Sequence, residues 1–186
     1  MPRGCGEAWL PGVDLPTFPP NAMADSPHIV HVEDDPTDAR LFERAVKAAS
    51  PGTRLRWYRD GQSALDEIDR LTDPAFVLPA VVVIDIKLPK IGGFDLLRRI
   101  RHQEDTSAVP VVMLTSSTQE ADIERAYAER VNSFISKPPT YGELKEMVAT
   151  FIPYWLTYNR RILAFSDPAR SLTNLEGGGR LTSPTP

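Results

Sequence analysis

The sequence predicts an open α/β fold in which five parallel β-strands alternate with five α-helices. Two observations lead to this prediction. Between residues 28 and 152, short β-branched or apolar runs alternate with segments of helical periodicity, a pattern typical of βα units. In addition, the runs at residues 81–84 and 111–114 are apolar on both faces, as expected of strands covered by helices on both sides.

The first two units lie between residues 28 and 70. Residues 28–32 form a β-branched run, and Pro36 opens a helix that the Ser-Pro-Gly segment at residues 50–52 ends. Residues 54–59 alternate arginine with larger apolar side chains, which indicates a half-exposed edge strand. An Asp-Gly pair at residues 60–61 turns the chain into the second helix.

The third and fourth helices follow the two apolar strands. A Gly-Gly pair at residues 92–93 leads into the third helix. The fourth is predicted from about residue 119 to residue 129, with Ile123, Ala126 and Tyr127 on its apolar face.

Residues 134–135 provide the fifth strand and residues 141–152 the fifth helix. Because the polar-edged strand is second in sequence, we expect the flavodoxin-like strand order 2-1-3-4-5. This order makes the first and third strands neighbours.

The domain is predicted to span residues 27–152, with less regular segments on either side. Residues 1–26 contain five prolines and no apolar periodicity, so we expect a disordered arm or a natural start at Met23. Residues 153–166 form an aromatic extension. The glycines and the Ser-Pro-Thr-Pro ending of residues 167–186 indicate a flexible tail.

Composition excludes several functional classes. The net charge of −4 argues against a nucleic-acid partner, which would require a basic patch. The single cysteine, Cys5, cannot supply a disulfide framework. Apolar runs are too short for a membrane span of about 20 residues. We therefore expect a cytoplasmic protein with no nucleic-acid or membrane partner.

Reactive side chains follow four of the five predicted strands: Glu33 and Asp34 follow the first, Asp85 the third, Thr115 the fourth and Lys137 the fifth. The carboxyl ends of parallel strands share one edge of a sheet. Since neighbouring strands lie about 4.8 Å apart, the carboxylates after the first and third strands are forced together.

Two carboxylates about 5 Å apart repel by roughly 3 kcal/mol at an effective dielectric constant near 20. Such a cluster holds a proton or binds a cation, and clustered oxygen ligands suit Mg²⁺. Asp85 can then act as a nucleophile and form an aspartyl phosphate. Lys137 and Thr115 would bind the phosphoryl oxygens. Taken singly, these groups could be helix caps or turn residues; their joint placement favours the functional interpretation.

Four segments, at residues 29–36, 82–89, 111–116 and 134–138, resemble the CheY-like receiver domain of bacterial response regulators. The resemblance implies that Asp85 accepts a phosphoryl group from the phosphohistidine of a sensor histidine kinase.

By the same resemblance, Asp34 ligates Mg²⁺ directly, Glu33 acts mainly through water, and the Lys87 backbone carbonyl completes the metal site. Thr115 and Lys137 contact the phosphoryl group.

The resemblance also implies switching and tuning roles for other positions. Phe134 matches the rotating aromatic residue of the family, and the peptide between Lys137 and Pro138 matches one that is usually cis. Glu33 stands where many relatives have Asp. Lys87 and Ser117 flank the line along which water attacks the acyl phosphate, so we expect them to tune its lifetime.

The aromatic extension predicts an interface. Phe151, Trp155, Tyr158 and Ile162 recur at helical spacing, with Tyr154 beside them. It resembles the C-terminal part of small receivers that partner bacterial phytochromes, which implies a homodimer and a bacteriophytochrome as a candidate kinase. The alternative is a longer helix that packs on its own domain.

Two other functions are alternatives. A phosphohydrolase of the dehalogenase type needs a second acid two residues after the nucleophile, where Lys87 stands. An interaction module that is independent of phosphorylation would not require the full set of acids, hydroxyl and lysine.

Overall fold

Five parallel strands form one sheet in the computed structural model, which describes residues 28–70 and 78–160. The strands are β1 (His28–Val32), β2 (Arg54–Tyr58), β3 (Val81–Ile84), β4 (Val111–Thr115) and β5 (Ser133–Ser136). Their order across the sheet is β2-β1-β3-β4-β5, which confirms the predicted fold class. The central strands β1, β3 and β4 are buried along their whole length, whereas β2 and β5 are partly exposed edges.

Five α-helices connect and follow the strands. They are α1 (Pro36–Ala49), α2 (Gly61–Arg70), α3 (Gly93–His102), α4 (Glu120–Ala128) and α5 (Tyr141–Pro153), and a π-helical turn (Tyr154–Tyr158) continues α5. None of the helices within the described ranges combines the length and the apolar character needed to cross a membrane.

The sheet separates two hydrophobic cores, because successive side chains of a strand point to opposite faces. In β1, Ile29 packs with α1 and α5, and its neighbour Val30 packs with α2, α3 and α4. Both faces of the sheet are thus covered, so that its C-terminal edge, where the loops converge, remains the place for a site.

The fourth helix departs from the prediction at one residue. Ala126 is fully buried and Ile123 partly buried, but Tyr127 is 54% exposed. Successive residues of an α-helix are rotated by about 100° around its axis, so Tyr127 points away from the stripe that Ala126 occupies. Its assignment to the inner face is wrong.

The extension after α5 also differs from the prediction. Phe151 and Trp155 are only 7% and 8% exposed and belong to the core formed with α1. Their ring centroids lie 6.1 Å apart. These two residues are therefore core residues rather than free interface residues, as the alternative of a longer helix that packs on its own domain expects. Tyr154 and Tyr158 are 52% and 61% exposed.

Some predictions fall outside the described residues. These are the arm at residues 1–26 with its alternative start at Met23, the remainder of the extension including Ile162, and the tail at residues 167–186.

Candidate functional site

An acidic cluster lies at the C-terminal edge of the sheet. One carboxylate oxygen from each of Glu33, Asp34 and Asp85 lies within 4.8 Å of the other two. The sheet produces this cluster: the Asp85 N–H donates to the Val32 carbonyl at 3.0 Å, which holds the end of β3 beside the end of β1. Glu33 and Asp85 are buried and Asp34 is exposed, so the cluster opens to solvent on the Asp34 side.

Asp35 is the N-cap residue of α1. Its carboxylate accepts from the Thr37 N–H at 2.6 Å and the Asp38 N–H at 3.4 Å, and Pro36 occupies the first turn, where a missing N–H costs nothing. The hydrogen bond from the Thr37 backbone lowers the pKa of Asp35. Because Asp35 caps the helix, Asp34 is available to the acidic cluster.

Lys137 supplies the positive charge of the site. Its Nζ lies 2.7 Å from Glu33 Oε2, 2.8 Å from Asp85 Oδ2 and 2.8 Å from Asp38 Oδ2. The Lys137 backbone is positioned by the sheet, since its N–H donates to the Thr115 carbonyl at 2.7 Å. The lysine thus joins the ends of β1, β3 and β5 in one polar site.

The pKa shifts reflect burial and crowding. Burial raises the pKa of Glu33 to about 7, and Asp85 adds to the increase while Lys137 opposes it. Burial by itself would lower the pKa of Lys137, but its pairs with Asp38, Asp85 and Glu33 outweigh burial and raise it. Burial lowers the pKa of His31, which lies behind the site, to about 3. At neutral pH, one ammonium therefore faces several crowded carboxyl groups.

The donor set fits a hard divalent cation. Carboxylate oxygens are the ligands that Mg²⁺ takes from proteins, and three of them, one each from Glu33, Asp34 and Asp85, lie within 4.8 Å of one another. The loop of Lys87 adjoins the cluster, because its N–H lies 3.4 Å from Asp85 Oδ1. The Lys87 side chain is exposed.

Thr115 and Ser117 connect the site to α4. Thr115 is fully buried, and its Oγ1 accepts from the Ser117 N–H at 3.3 Å. The Ser117 hydroxyl donates to Asp122 Oδ2 at 2.5 Å. A displacement of Thr115 would therefore be felt at the first turn of α4. Phe134, on β5, is partly buried against the core beneath α4.

The peptide between Lys137 and Pro138 corrects one expectation. No peptide bond within the described residues is cis, so the cis form implied by the resemblance is wrong here. The trans form is the intrinsically favoured one, by about 0.5–1 kcal/mol for a bond preceding proline.

Sequence reasoning missed two groups at the site. Asp38 lies in the first turn of α1, three residues after the N-cap Asp35, and an acid so soon after Glu33 and Asp34 was the available signal. Trp57 donates its Nε1–H to the Glu33 carbonyl at 2.8 Å. That contact crosses from β2 to the loop after β1, so it could not be predicted from the local sequence.

The fold and the site together define a class: an α/β domain whose acids, buried hydroxyl and lysine converge where a phosphoryl group can be received and a cation bound. Comparison with known proteins agrees. Residues 29–149 match the family model of the response regulator receiver domain. The chain belongs to this family of phosphorylation-dependent signalling proteins.

Curated relatives extend the comparison. The chain is 39% identical over 138 residues to the probable methanogenesis regulatory protein FilR2 of Methanothrix harundinacea, an alignment covering 74% of this chain and 89% of the relative. It is 30% identical over 129 residues to response regulator Rcp1 of Synechocystis sp., covering 69% and 88% of the two chains.

Solved structures lead to the same family. The phosphorylated cyanobacterial phytochrome response regulator RcpA is 28% identical with a TM-score of 0.66, covering 73% of this chain and 97% of that one. The bacteriophytochrome response regulator AtBRR is 32% identical with a TM-score of 0.58, covering 75% and 99%. A Mn²⁺-bound form of Rcp1 has a TM-score of 0.66 at 28% identity, covering 73% and 99%.

Proposed function

We propose that the chain is a response regulator in which Asp85 accepts a phosphoryl group from the phosphohistidine of a sensor histidine kinase. The observation that carries this proposal is the position of the Lys137 ammonium, 2.8 Å from Asp85 Oδ2, next to the cluster formed with Glu33 and Asp34. A carboxylate nucleophile, a cation and a metal-ligating set then share one pocket.

In the transfer step, an Asp85 carboxylate oxygen attacks the phosphorus. A P–O bond forms, the P–N bond to the donor imidazole breaks, and its electron pair returns to the nitrogen. Lys137 and Thr115 stabilise the phosphoryl oxygens by charge and hydrogen bonding. Glu33, Asp34, Asp85 and the Lys87 carbonyl would hold Mg²⁺, which supplies charge neutralisation when bound.

The phosphorylated state ends when water attacks the phosphorus: the P–O bond to Asp85 breaks, inorganic phosphate leaves, and the Asp85 carboxylate is restored. Lys87 and Ser117 are proposed to tune this step. Lys87 follows Asp85 by two residues and is exposed, whereas the Ser117 hydroxyl is already engaged with Asp122. We therefore expect exchange of Lys87 to alter water access directly and exchange of Ser117 to act also through α4.

The output is proposed to pass through Thr115 and Phe134. Phosphorylation replaces the single negative charge of the Asp85 carboxylate with the charge of about −2 on a phosphoryl group, and Thr115 is joined to α4 through Ser117 and Asp122. Movement of Thr115 would release space for Phe134 and change the surface formed by α4, β5 and α5. This is a two-state element biased by a local charge.

The partners are proposed from the relatives. Response regulators of phytochromes are among the similar structures, so a bacteriophytochrome is our candidate phosphodonor, and both proteins would act in the cytoplasm. We also propose a homodimer in which the exposed Tyr154 and Tyr158 contribute, since tyrosine is enriched at interfaces. Light scattering of the wild-type chain and of a variant carrying both Tyr154→Ala and Tyr158→Ala tests this, because neither substitution removes a core residue.

Incubation with acetyl phosphate and Mg²⁺ tests the proposed acceptor. Intact-mass measurement should show the mass of one phosphoryl group added to the wild-type chain and none added to Asp85→Asn. EDTA should abolish the addition. Equal phosphorylation of Asp85→Asn would overturn the assignment. A wild-type chain that takes up no phosphoryl group would leave the interaction module that is independent of phosphorylation as the remaining candidate.

A further inference from the structure

Lys137 is surrounded by more acids than phosphoryl transfer requires. An ammonium has three N–H donors, and three carboxylates lie within 2.8 Å of Nζ. Glu33 and Asp85 belong to the acidic cluster. The third, Asp38, comes from the first turn of α1 and lies outside that cluster.

We propose that Asp38 is a positioning residue for phosphoryl transfer: it holds the Lys137 ammonium from the α1 side, so that one N–H stays directed at Asp85. This inference rests on the proposed function of Asp85. It assigns Asp38 no contact with the phosphoryl group, and its effect passes entirely through Lys137.

The helix gives Asp38 a fixed base. Its backbone N–H lies 3.4 Å from the Asp35 carboxylate in the helix cap, and the first turn is also set by Pro36. The lysine, by contrast, has a long side chain that loses conformational entropy when it is ordered. A hydrogen bond of 2.8 Å from Lys137 Nζ to Asp38 Oδ2 offsets that loss before any phosphodonor arrives.

The contact is compatible with the phosphorylated state. Once Asp85 carries a phosphoryl group, the esterified oxygen loses its charge, and the N–H that faced it is free to bind a phosphoryl oxygen. The hydrogen bond to Asp38 can be kept, and Glu33 can remain an ion-pair partner at 2.7 Å. Lys137 therefore need not be released from α1 for the reaction to proceed.

Asp38 also carries a negative charge, which opposes the arrival of a phosphoryl group. The Asp38 and Asp85 oxygens both lie 2.8 Å from the Lys137 ammonium and therefore within about 6 Å of one another. The ammonium that contacts both of them compensates most of their repulsion, and a well-screened pair at this distance slows the reaction about threefold. The Asp38 side chain is 44% exposed, which favours such screening. Loss of a charge-assisted hydrogen bond costs about tenfold, so positioning outweighs repulsion.

Two variants of the full chain separate these effects. Asp38→Ala removes both the charge and the acceptor, and Asp38→Asn removes the charge and keeps an acceptor oxygen. We expect Asp38→Ala to slow phosphorylation by acetyl phosphate at saturating Mg²⁺ about tenfold. We expect Asp38→Asn to change it by less than about threefold. Glu43→Ala is the matched control, since Glu43 pairs with Lys47 at 2.6 Å on the same helix, and it should match the wild type.

A double-mutant cycle tests whether Asp38 acts through Lys137. In a Lys137→Ala background, followed over an extended time course, Asp38→Ala should have no further effect on the rate. Mg²⁺ affinity, read from tryptophan fluorescence, should be unchanged in Asp38→Ala. Trp57 can report it, because its indole contacts the Glu33 carbonyl.

If the Asp38→Ala variant is phosphorylated as fast as the wild type, or faster, the inference is overturned. An equal loss of rate in the Lys137→Ala background overturns it too, because Asp38 would then act by another route. In both results the wild-type chain is phosphorylated, so the proposed function stands. A wild-type chain that takes up no phosphoryl group overturns the proposed function and this inference with it.

Discussion

Gly93, the first residue of α3, packs directly against the backbone of Asp85. A Cβ atom at position 93 would lie 2.2 Å from the Asp85 carbonyl oxygen, and the Gly93 N–H donates to the Ile86 carbonyl at 3.0 Å. The start of α3 is therefore seated on the loop that carries the acceptor. Gly92 beside it has free space, since the nearest atom to its Cβ position is 4.0 Å away.

Gly93→Ala should therefore destabilise the fold and disturb the acceptor. We expect a loss of about 1–3 kcal/mol, the usual cost of overpacking, measured as the free energy of unfolding in urea. Phosphorylation by acetyl phosphate should fall with it. Gly92→Ala is the control and should cost less than about 1 kcal/mol. Equal stability of the two variants would contradict the close packing of Gly93.

Trp155 should behave as a core residue and Tyr158 as a surface residue. Trp155→Ala should lower the free energy of unfolding by about 3–5 kcal/mol, because it opens a cavity beside Phe151. Tyr158→Ala should change the free energy of unfolding by about 0.5 kcal/mol or less. In light scattering, the same variant should weaken the proposed homodimer. A Trp155→Ala chain that is as stable as the wild type but monomeric would contradict the core role and would show that Trp155 is an interface residue.

Arg101 should be needed to hold the segment between α4 and β5. It is 8% exposed, and its guanidinium donates to four acceptors: the carbonyls of Arg130, Ser107 and Val109, and Asn132 Oδ1. Arg101→Lys loses the planar fork and leaves buried acceptors unpaired, so we expect a loss of at least about 2 kcal/mol. Faster hydrogen exchange at residues 130–132 would locate the effect.

Arg98 provides the comparison for Arg101. It lies on the same helix and pairs with Glu129 at 2.8 Å, but its side chain is 42% exposed. Surface ion pairs contribute about 0–1 kcal/mol, so Arg98→Ala should cost less than Arg101→Lys. A reversed ranking would contradict the structural role of Arg101.

The contribution of Asp60 to the free energy of unfolding should depend on pH. It accepts from the Ser63 N–H at 2.8 Å at the start of α2 and pairs with Lys90 at 2.9 Å. The Ser63 backbone bond, followed by the Lys90 pair, lowers the pKa of Asp60 to about 2. A lowered folded-state pKa means that this stabilisation is complete above about pH 4 and is lost as the pH falls towards 2.

Asp60→Ala should therefore lower the free energy of unfolding by about 1 kcal/mol at pH 7. The difference from the wild type should narrow as urea unfolding is repeated between pH 4 and pH 3. Asp60→Asn keeps an acceptor and should lose less. A difference that stays constant with pH would show that the Asp60 charge is irrelevant.

Most of the fold could be predicted from the sequence because the strands have distinctive residue patterns. Buried runs such as Val81–Ile84 have no polar position, and the arginines of β2 mark an edge. The main acids and Lys137 were also predictable, since parallel strands bring their C-terminal ends together. The assignment of Tyr127 failed because a one-residue error rotates a helical side chain off its face.

The remaining misses depend on contacts between distant elements. Whether Trp155 is buried depends on the space that α1 and α5 leave between them, which periodicity cannot measure. Asp38 joins the site through a side chain that reaches across to Lys137, 99 residues away in sequence. Local pattern places each residue on an element, but such distances follow from how the elements pack.

The most direct test of the central claim is the location of the phosphoryl group on the wild-type chain. Borohydride reduction of the acetyl-phosphate-treated protein, followed by peptide mass spectrometry, marks an acyl phosphate by converting the aspartate to homoserine. We predict homoserine at position 85 and at no other acid of the site. Homoserine at position 34 or 38, with Asp85 unmodified, would contradict the account.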